Sequence, residues 1–122
     1  MGWNFNSQAP VYLQIVARIR GDILAGRYAA DAPFPSVRQL AFEAAVNPNT
    51  MQRALTELEN DGLLYTRGTA GRFVTGDRAV LAAARSAAFA DEIDLIVSRA
   101  SALGMSKGEL LRLIGEKEEW SK

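Results

Sequence analysis

The sequence contains no cysteine and no histidine. Their absence removes disulfide bonds, thiolate nucleophiles, imidazole bases and the usual zinc ligands together. Catalysis would then require carboxylates or lysines placed in a cleft. The acidic residues Asp91, Glu92 and Asp94 are close in sequence, but they point around a predicted helix as a solvated face does. We therefore expect no enzyme activity, no metal and no cofactor.

Long apolar runs are also missing, so no membrane-spanning helix and no membrane partner are expected. The first residues lack the basic and apolar regions of a secretory signal peptide. The absence of cysteine is compatible with a reducing compartment. These features lead us to expect a cytoplasmic protein.

The sequence has 14 basic and 14 acidic residues, so neither sign of charge is in excess. Residues 1–78 hold 8 arginines and 7 acidic residues, a net charge of +1, and the remaining residues carry −1. This balance provides no general attraction to nucleic acid. Any DNA binding must depend on where the arginines lie rather than on their number.

The stretch from Val46 to Gly62 predicts a capped amphipathic helix. Asn47 is a good N-cap, Pro48 suits the first helical position, and Gly62 suits the left-handed residue after a helix. Apolar residues recur at helical spacing: Met51, Ala54, Leu55 and Leu58. Its first turn is crowded with polar side chains, as in a helix that reads bases in a major groove. Taken alone, an ordinary surface helix explains the stretch more simply.

The preceding segments change that interpretation. A helix is predicted from Pro10 to about Ala25, followed by a loop from Arg27 to Pro35. A short helix then begins at Ser36 and fades by about Ala44, with Gln39 completing a capping box. Two helices joined by so tight a turn predict a helix-turn-helix.

After Gly62 the pattern changes to that of a hairpin. Residues 63–67 and 72–75 are rich in strand formers, and residues 68–71 link them with two glycines. Arg67 and Arg72 flank the turn, either as DNA contacts or as solvated strand ends. The predicted fold is therefore mainly α with a small β-hairpin, a winged helix-turn-helix over residues 1–76.

Residues 77–122 predict a two-helix appendage. The first helix runs from residue 77 or 78 to Leu103, and the second follows a capping box that pairs Ser106 with Glu109. One helix pair cannot enclose a core, so it either folds back onto the first domain or packs against a second copy. The residues expected to form a dimer interface are Phe89, Ile93, Ile96, Val97, Leu110, Leu111 and Ile114.

Several ordered motifs resemble the DNA-binding domain of GntR-family transcriptional regulators, and the short C-terminus resembles the YtrA subfamily. They are residues 10–15, 35–41, 47–50, 53–55, 58–62 and 67–74. The resemblance implies a homodimeric regulator, in most cases a repressor, that binds double-stranded DNA at a pseudo-palindromic operator. Ala44 and Ala45 replace the family's common Leu-Gly, and Phe34 replaces a usual leucine, which bears on local packing.

The residues expected to contact DNA are Ser36, Arg38, Asn47, Asn49, Thr50, Gln52, Arg53, Arg67, Gly68, Thr69, Gly71 and Arg72. The resemblance implies a DNA contact for Arg38, whereas a surface ion pair is its alternative. Gln52 suits adenine and Arg53 suits guanine or phosphate. An intrahelical pair with Glu57 is the alternative for Arg53. Asn47 fits a cap better than a reader, and glycines that simply make a tight turn would also explain the wing.

Two further hypotheses stay open at this point. A winged helix also serves as a protein-docking module, which the zero net charge would suit. The resemblance also implies a small-molecule effector of unidentified chemistry, for which we consider a groove near Trp3, Phe89 or Trp120.

Overall fold

The computed structural model describes residues 3–118, and it divides the chain into two compact units. The first unit ends at Arg85 and the second begins at Ser86. Trp120, one of the residues considered for an effector groove, lies outside the described residues.

Three helices build the first unit: α1 (Val11–Leu24), α2 (Val37–Ala44) and α3 (Pro48–Asn60). Their bounds agree with the predicted helices to within a residue or two. Their apolar stripes meet in one core, because residues three and four apart share a face of a helix. The buried core residues are Ile15, Val16, Ile19, Ile23, Phe34, Leu40, Ala41, Ala44, Met51, Ala54, Leu55, Leu58, Leu63, Leu64 and Val74.

The turn between α2 and α3 is tight and well capped. The Ser36 hydroxyl accepts the Gln39 N–H at 3.1 Å, but the Gln39 side chain donates to Glu43 instead of reaching back. The predicted capping box at α2 is therefore only half formed. Ala45 ends α2 in the left-handed region with φ of 57°. Asn47 then caps α3, its side-chain oxygen accepting the Asn49 N–H at 2.7 Å.

The predicted hairpin is present and shorter than expected. Strand β1 (Leu64–Thr66) pairs antiparallel with β2 (Arg72–Val74), and Thr66 faces Arg72 across the ladder. A one-turn 3-10 helix, Gly68–Ala70, forms the tip. We call residues 64–74 the wing. Gly68 and Gly71 both have positive φ, at 49° and 98°, so the backbone at the tip favours glycine there.

The predicted loop before α2 partly runs alongside the wing. The Phe34 N–H donates to the Arg72 carbonyl at 2.8 Å, and the Val74 N–H donates to the Ala32 carbonyl at 2.9 Å. Pro33 also bridges Phe73. The predicted loop is confirmed, since no helix or strand lies between α1 and α2, and these backbone hydrogen bonds are an additional feature that the sequence did not indicate. Strand β2 is consequently held on both of its edges.

The long helix expected from residue 77 or 78 to Leu103 is two helices, α4 (Arg78–Ala88) and α5 (Ala90–Ala102). Phe89 lies between them, and its N–H donates to the Ser86 carbonyl three residues back, a tighter turn than an α-helix makes. The start of α4 packs on the first unit's core through Val80, Leu81 and Ala84. The first unit therefore extends beyond the hairpin.

The second unit contains α5 and α6 (Lys107–Gly115). The predicted capping box is confirmed, since Ser106 and Glu109 each accept the other's backbone N–H. Ala100 is the one buried hydrophobic residue described in this unit. Across residues 3–118, no helix has the length and apolar character needed to cross a membrane.

Candidate nucleic-acid interface

The residues expected to contact DNA occupy three places in the first unit: the start of α2, the start of α3 and the wing. All are exposed except Thr50 and Arg72, which are partly buried. A cleft of about 410 Å³ joins the first and third places, with Ser36 and Val37 on one side and Ala70, Gly71 and Arg72 on the other. The fold thus brings together the first turn of α2 and the wing, which are distant in sequence.

Arg38 projects from the first turn of α2 into solvent. The alternative role considered for Arg38 was a surface ion pair. Among residues 3–118 no carboxylate forms an ion pair with it. An arginine without an internal partner keeps its full set of donors for an external anion. The surroundings of Arg38 therefore suit a phosphate contact.

Ion pairs engage other arginines of the first unit. Arg20 pairs with Asp61 at 3.0 Å, and Arg27 pairs with Asp22 at 2.8 Å. Neither pair belongs to the expected contact set. Among the described residues, Arg38, Arg53 and Arg67 of the expected set form no ion pair, and neither do Arg18, Arg78 and Arg85 elsewhere in the first unit.

Arg53 takes a partner that the sequence did not indicate. Its guanidinium carbon lies 3.7 Å from the ring centroid of Tyr12 in α1, and its Nη2 donates to the Tyr12 hydroxyl at 3.1 Å. Within the described residues no ion pair joins it to Glu57, the expected alternative. The only available signal was the position of Tyr12 in the stripe of α1, which predicted burial rather than an arginine contact.

Arg72 is neither an exposed DNA contact nor a solvated strand end. Only 17% of its side chain is exposed, and its Nε lies 3.3 Å from Glu59 Oε1 in α3. The buried Nε makes no hydrogen bond, so this contact is an ion pair without hydrogen-bond alignment. The hydroxyl of Thr66 donates to the other carboxylate oxygen of Glu59. Arg72 thus helps to hold the wing against α3.

The wing carries a stacked aromatic pair below its tip. Tyr65 and Phe73 lie 5.8 Å apart between centroids, and the guanidinium of exposed Arg67 lies 5.2 Å from the Phe73 ring. The Tyr65 hydroxyl donates to Asp31 at 2.7 Å. This hydrogen bond to a carboxylate raises the pKa of Tyr65 above its ordinary value.

The start of α3 presents short polar side chains around an N-terminus whose dipole favours anions. Asn49 and Gln52 are exposed, whereas Thr50 is half-buried. Gln52 makes only a long hydrogen bond of 3.3 Å to Thr56, so its amide is available for other partners. Asn47 acts as the cap and its side-chain oxygen is already used.

The second unit holds an apolar groove of about 390 Å³ between α5 and α6. Six of the seven residues expected at a dimer interface line it: Ile93, Ile96, Val97, Leu110, Leu111 and Ile114. Phe89 does not line the groove, although it is exposed. In the part of the chain that the structure describes, no cluster of acidic residues suits a metal ion.

Residues 11–74 match the family model described as bacterial regulatory proteins of the gntR family. This span covers the helix-turn-helix and the wing, and it is more than half of the chain. The chain belongs to the GntR family. Its fold is the winged helix-turn-helix of that family, and its function is that of a transcriptional regulator with a DNA-binding domain.

Two relatives show which members of the GntR family the chain resembles. It is 31% identical over 107 residues to the HTH-type transcriptional regulator YhcF of Bacillus subtilis, covering 88% of each chain. It is 35% identical over 69 residues to the transcriptional repressor YtrA of the same organism, covering 57% of this chain and 53% of YtrA. These relatives are regulators rather than enzymes, and the chain is YtrA-like.

Two solved structures resemble the GntR chain. A GntR-family regulator from Listeria monocytogenes has a TM-score of 0.77 at 32% identity, covering 93% of this chain and 100% of the other. The DNA-binding domain of AraR in complex with operator ORX1 has a TM-score of 0.55 at 25% identity, covering 62% and 95%. The first similarity extends into the second unit, and the second includes a DNA complex.

Proposed function

We propose that this GntR-family chain is a dimeric, sequence-specific repressor that binds a pseudo-palindromic operator. The observation that carries the proposal is the placement of Arg38, Arg53 and Arg67 at α2, α3 and the wing, where none of them forms an ion pair with a described residue. The first unit holds 9 arginines and 7 acidic residues, a net charge of only +2, so its attraction for phosphate depends on where such unpaired arginines lie.

Base reading is assigned to the first turns of α3. Gln52 has the bidentate amide that suits adenine, and Arg53 has the fork that suits O6 and N7 of guanine. The wing tip supplies Arg67 and Thr69 for a second contact with the duplex. The AraR domain bound to its operator supports this use of the fold, since a similar winged domain there forms a DNA complex.

The exposed apolar surface of the second unit is the basis for proposing that two copies of the chain form a dimer. Phe89, Ile93, Val97, Leu103 and Leu111 are all exposed, which a helix pair standing alone would not tolerate in water. A second copy covering the groove would bury Ile93, Val97 and Leu111, which line it. The dimer would present two recognition helices to half-sites about one helical turn apart, on the order of 34 Å.

Repression is proposed from the relatives, because the YtrA relative is named a repressor. A regulator of this kind acts in the compartment that holds the DNA, so the cytoplasmic location remains part of the proposal. The effector remains a prediction. The groove of the second unit is apolar enough to hold a small molecule, but the proposed partner copy would occupy the same surface.

The test is selection of bound DNA from a random pool with the full chain, followed by light scattering on the selected complex. We expect an enriched motif with two related half-sites and a mass of two chains per duplex. A variant carrying Arg38→Ala and Arg53→Ala is the control and should enrich nothing. Failure of the unaltered chain to enrich any motif, with retained capture of a protein ligand, would favour the docking-module hypothesis instead.

A further inference from the structure

The contact between Tyr12 and Arg53 links the first helix to the expected reading surface. Tyr12 lies at the start of α1 and is partly buried against the core, so the packing below it fixes its ring. Arg53 lies in the second turn of α3 and is exposed. The guanidinium carbon lies 3.7 Å from the ring centroid, and Nη2 donates to the hydroxyl at 3.1 Å.

Among residues 3–118, two other arginines lie over aromatic rings, and their contacts are looser. Arg18 is 4.3 Å from the Trp3 ring and Arg67 is 5.2 Å from the Phe73 ring. Neither has a hydrogen bond to its ring partner among the described residues. Arg53 is therefore the one of the three whose guanidinium has both a short ring contact and a hydrogen bond to the same residue.

The stack leaves the recognition donors of Arg53 available. A guanidinium carries five N–H donors that lie in its own plane. Tyr12 accepts one of these donors, so the other four are not used by this contact. A bidentate contact to guanine needs only two of them. Holding the side chain in one rotamer before binding also removes part of the entropy that ordering it would cost.

We propose that Tyr12 is a positioning residue that holds Arg53 for recognition of a guanine in the operator. This inference rests on the proposed function, because it assigns specificity within the same DNA-reading surface. A purely structural tie between α1 and α3 does not require an exposed arginine, since Ile15, Ile19, Leu55 and Leu58 already pack in the core that these helices share.

The experiment measures base preference with the operator selected by the unaltered chain. Fluorescence anisotropy would compare that operator with duplexes that carry each other base at every guanine of one half-site. Arg53→Ala identifies the guanine that it reads. Tyr12→Leu should then weaken operator binding about two- to fivefold and lower the preference for that same guanine, with other positions unchanged. Tyr12→Phe keeps the ring and should stay within about twofold of the unaltered chain.

Two controls separate positioning from folding. Trp3→Leu removes the similar stack on Arg18 and should leave every base preference unchanged. In the Arg53→Ala background, Tyr12→Leu should cause no further loss, because the residue it positions is gone. Thermal unfolding of each variant shows whether the fold is intact.

The outcomes differ for the two proposals. If the unaltered chain selects no DNA sequence, the proposed function fails and this inference fails with it. If the unaltered chain selects an operator but Tyr12→Leu keeps the full preference for the guanine read by Arg53, only the positioning role is overturned. An equal loss at every base position would also overturn it, since that pattern marks general damage to the fold.

Discussion

The guanidinium of Arg72 in the wing lies 3.3 Å from the carboxylate of Glu59 in α3. The same carboxylate accepts the Thr66 hydroxyl from the neighbouring strand. One side chain of the recognition helix therefore contacts both strands of the wing. Because Glu59 and Arg72 expose only 26% and 17% of their side chains, solvent screens this pair less than a surface ion pair.

Glu59→Gln should weaken operator binding even though it removes a negative charge from the DNA-binding unit. The amide can still accept from Thr66, but it no longer neutralises Arg72, and we expect the free energy of unfolding to fall by about 1–2 kcal/mol. Glu57→Gln makes the same change of charge on an exposed residue of the same helix and should bind at least as tightly as the unaltered chain. Anisotropy titrations and thermal unfolding check both. Stronger binding by Glu59→Gln would show that charge outweighs wing placement.

Arg38→Ala should weaken DNA binding across all sequences, since a phosphate contact carries no base information. The slope of log affinity against log salt should fall by about one per lost contact in each chain. Arg27→Ala removes the same charge from a residue paired with Asp22 outside the interface, and it should leave the slope unchanged. Gel-shift titrations at several salt concentrations compare the two variants. If the unaltered chain, Arg38→Ala and Arg27→Ala all gave equal slopes, Arg38 would not contact DNA.

Ala45→Gly should stabilise the protein by about 0.5–1 kcal/mol. Ala45 is exposed and holds a left-handed conformation, which costs a residue with a Cβ about 1–2 kcal/mol, and the flexibility of unfolded glycine offsets only part of that gain. Ala44→Gly, one residue earlier, should act in the opposite direction because Ala44 is helical and buried. Urea unfolding of both variants measures the sign of each change in the free energy of unfolding. Destabilisation by Ala45→Gly would mean that the turn gains nothing from glycine.

Val97→Glu should convert the proposed dimer into a monomer, because it would bury a carboxylate without a partner in the apolar groove. Val97 is 53% exposed in the single chain, so the substitution should not prevent folding. Leu95→Glu changes a residue of the same helix that is 59% exposed and does not line the groove, and it should leave the dimer intact. Sedimentation equilibrium distinguishes the two. A dimer that survives Val97→Glu would place the interface elsewhere.

The sequence predicted the helices and the hairpin because local signals mark their ends. Asn47, Pro48 and Gly62 bound α3, and each lies where the structure requires it. The break at Phe89 had no such signal, since residues 78–103 contain neither glycine nor proline. The edge segment beside β2 was missed because prolines conceal pairing that involves only alternate backbone groups.

The candidate site was predicted as a set of residues, but its internal contacts were not. Tyr12 and Arg53 are 41 positions apart, and no local pattern links them. Glu59 and Arg72 likewise meet only because the hairpin folds back along α3. Periodicity shows which side of an element is apolar, whereas partners on the polar side depend on how elements are placed in three dimensions.

The ion pairs that engage Arg20, Arg27 and Arg72 also affect how a regulator of this design would find its target. A protein slides along random DNA through many interchangeable phosphate contacts, and the first unit of this chain has a net charge of only +2 for that purpose. Its dwell time on unrelated sequences should therefore be short. Search would proceed mainly by repeated encounters from solution, and occupancy of the operator would follow the concentration of free dimer closely.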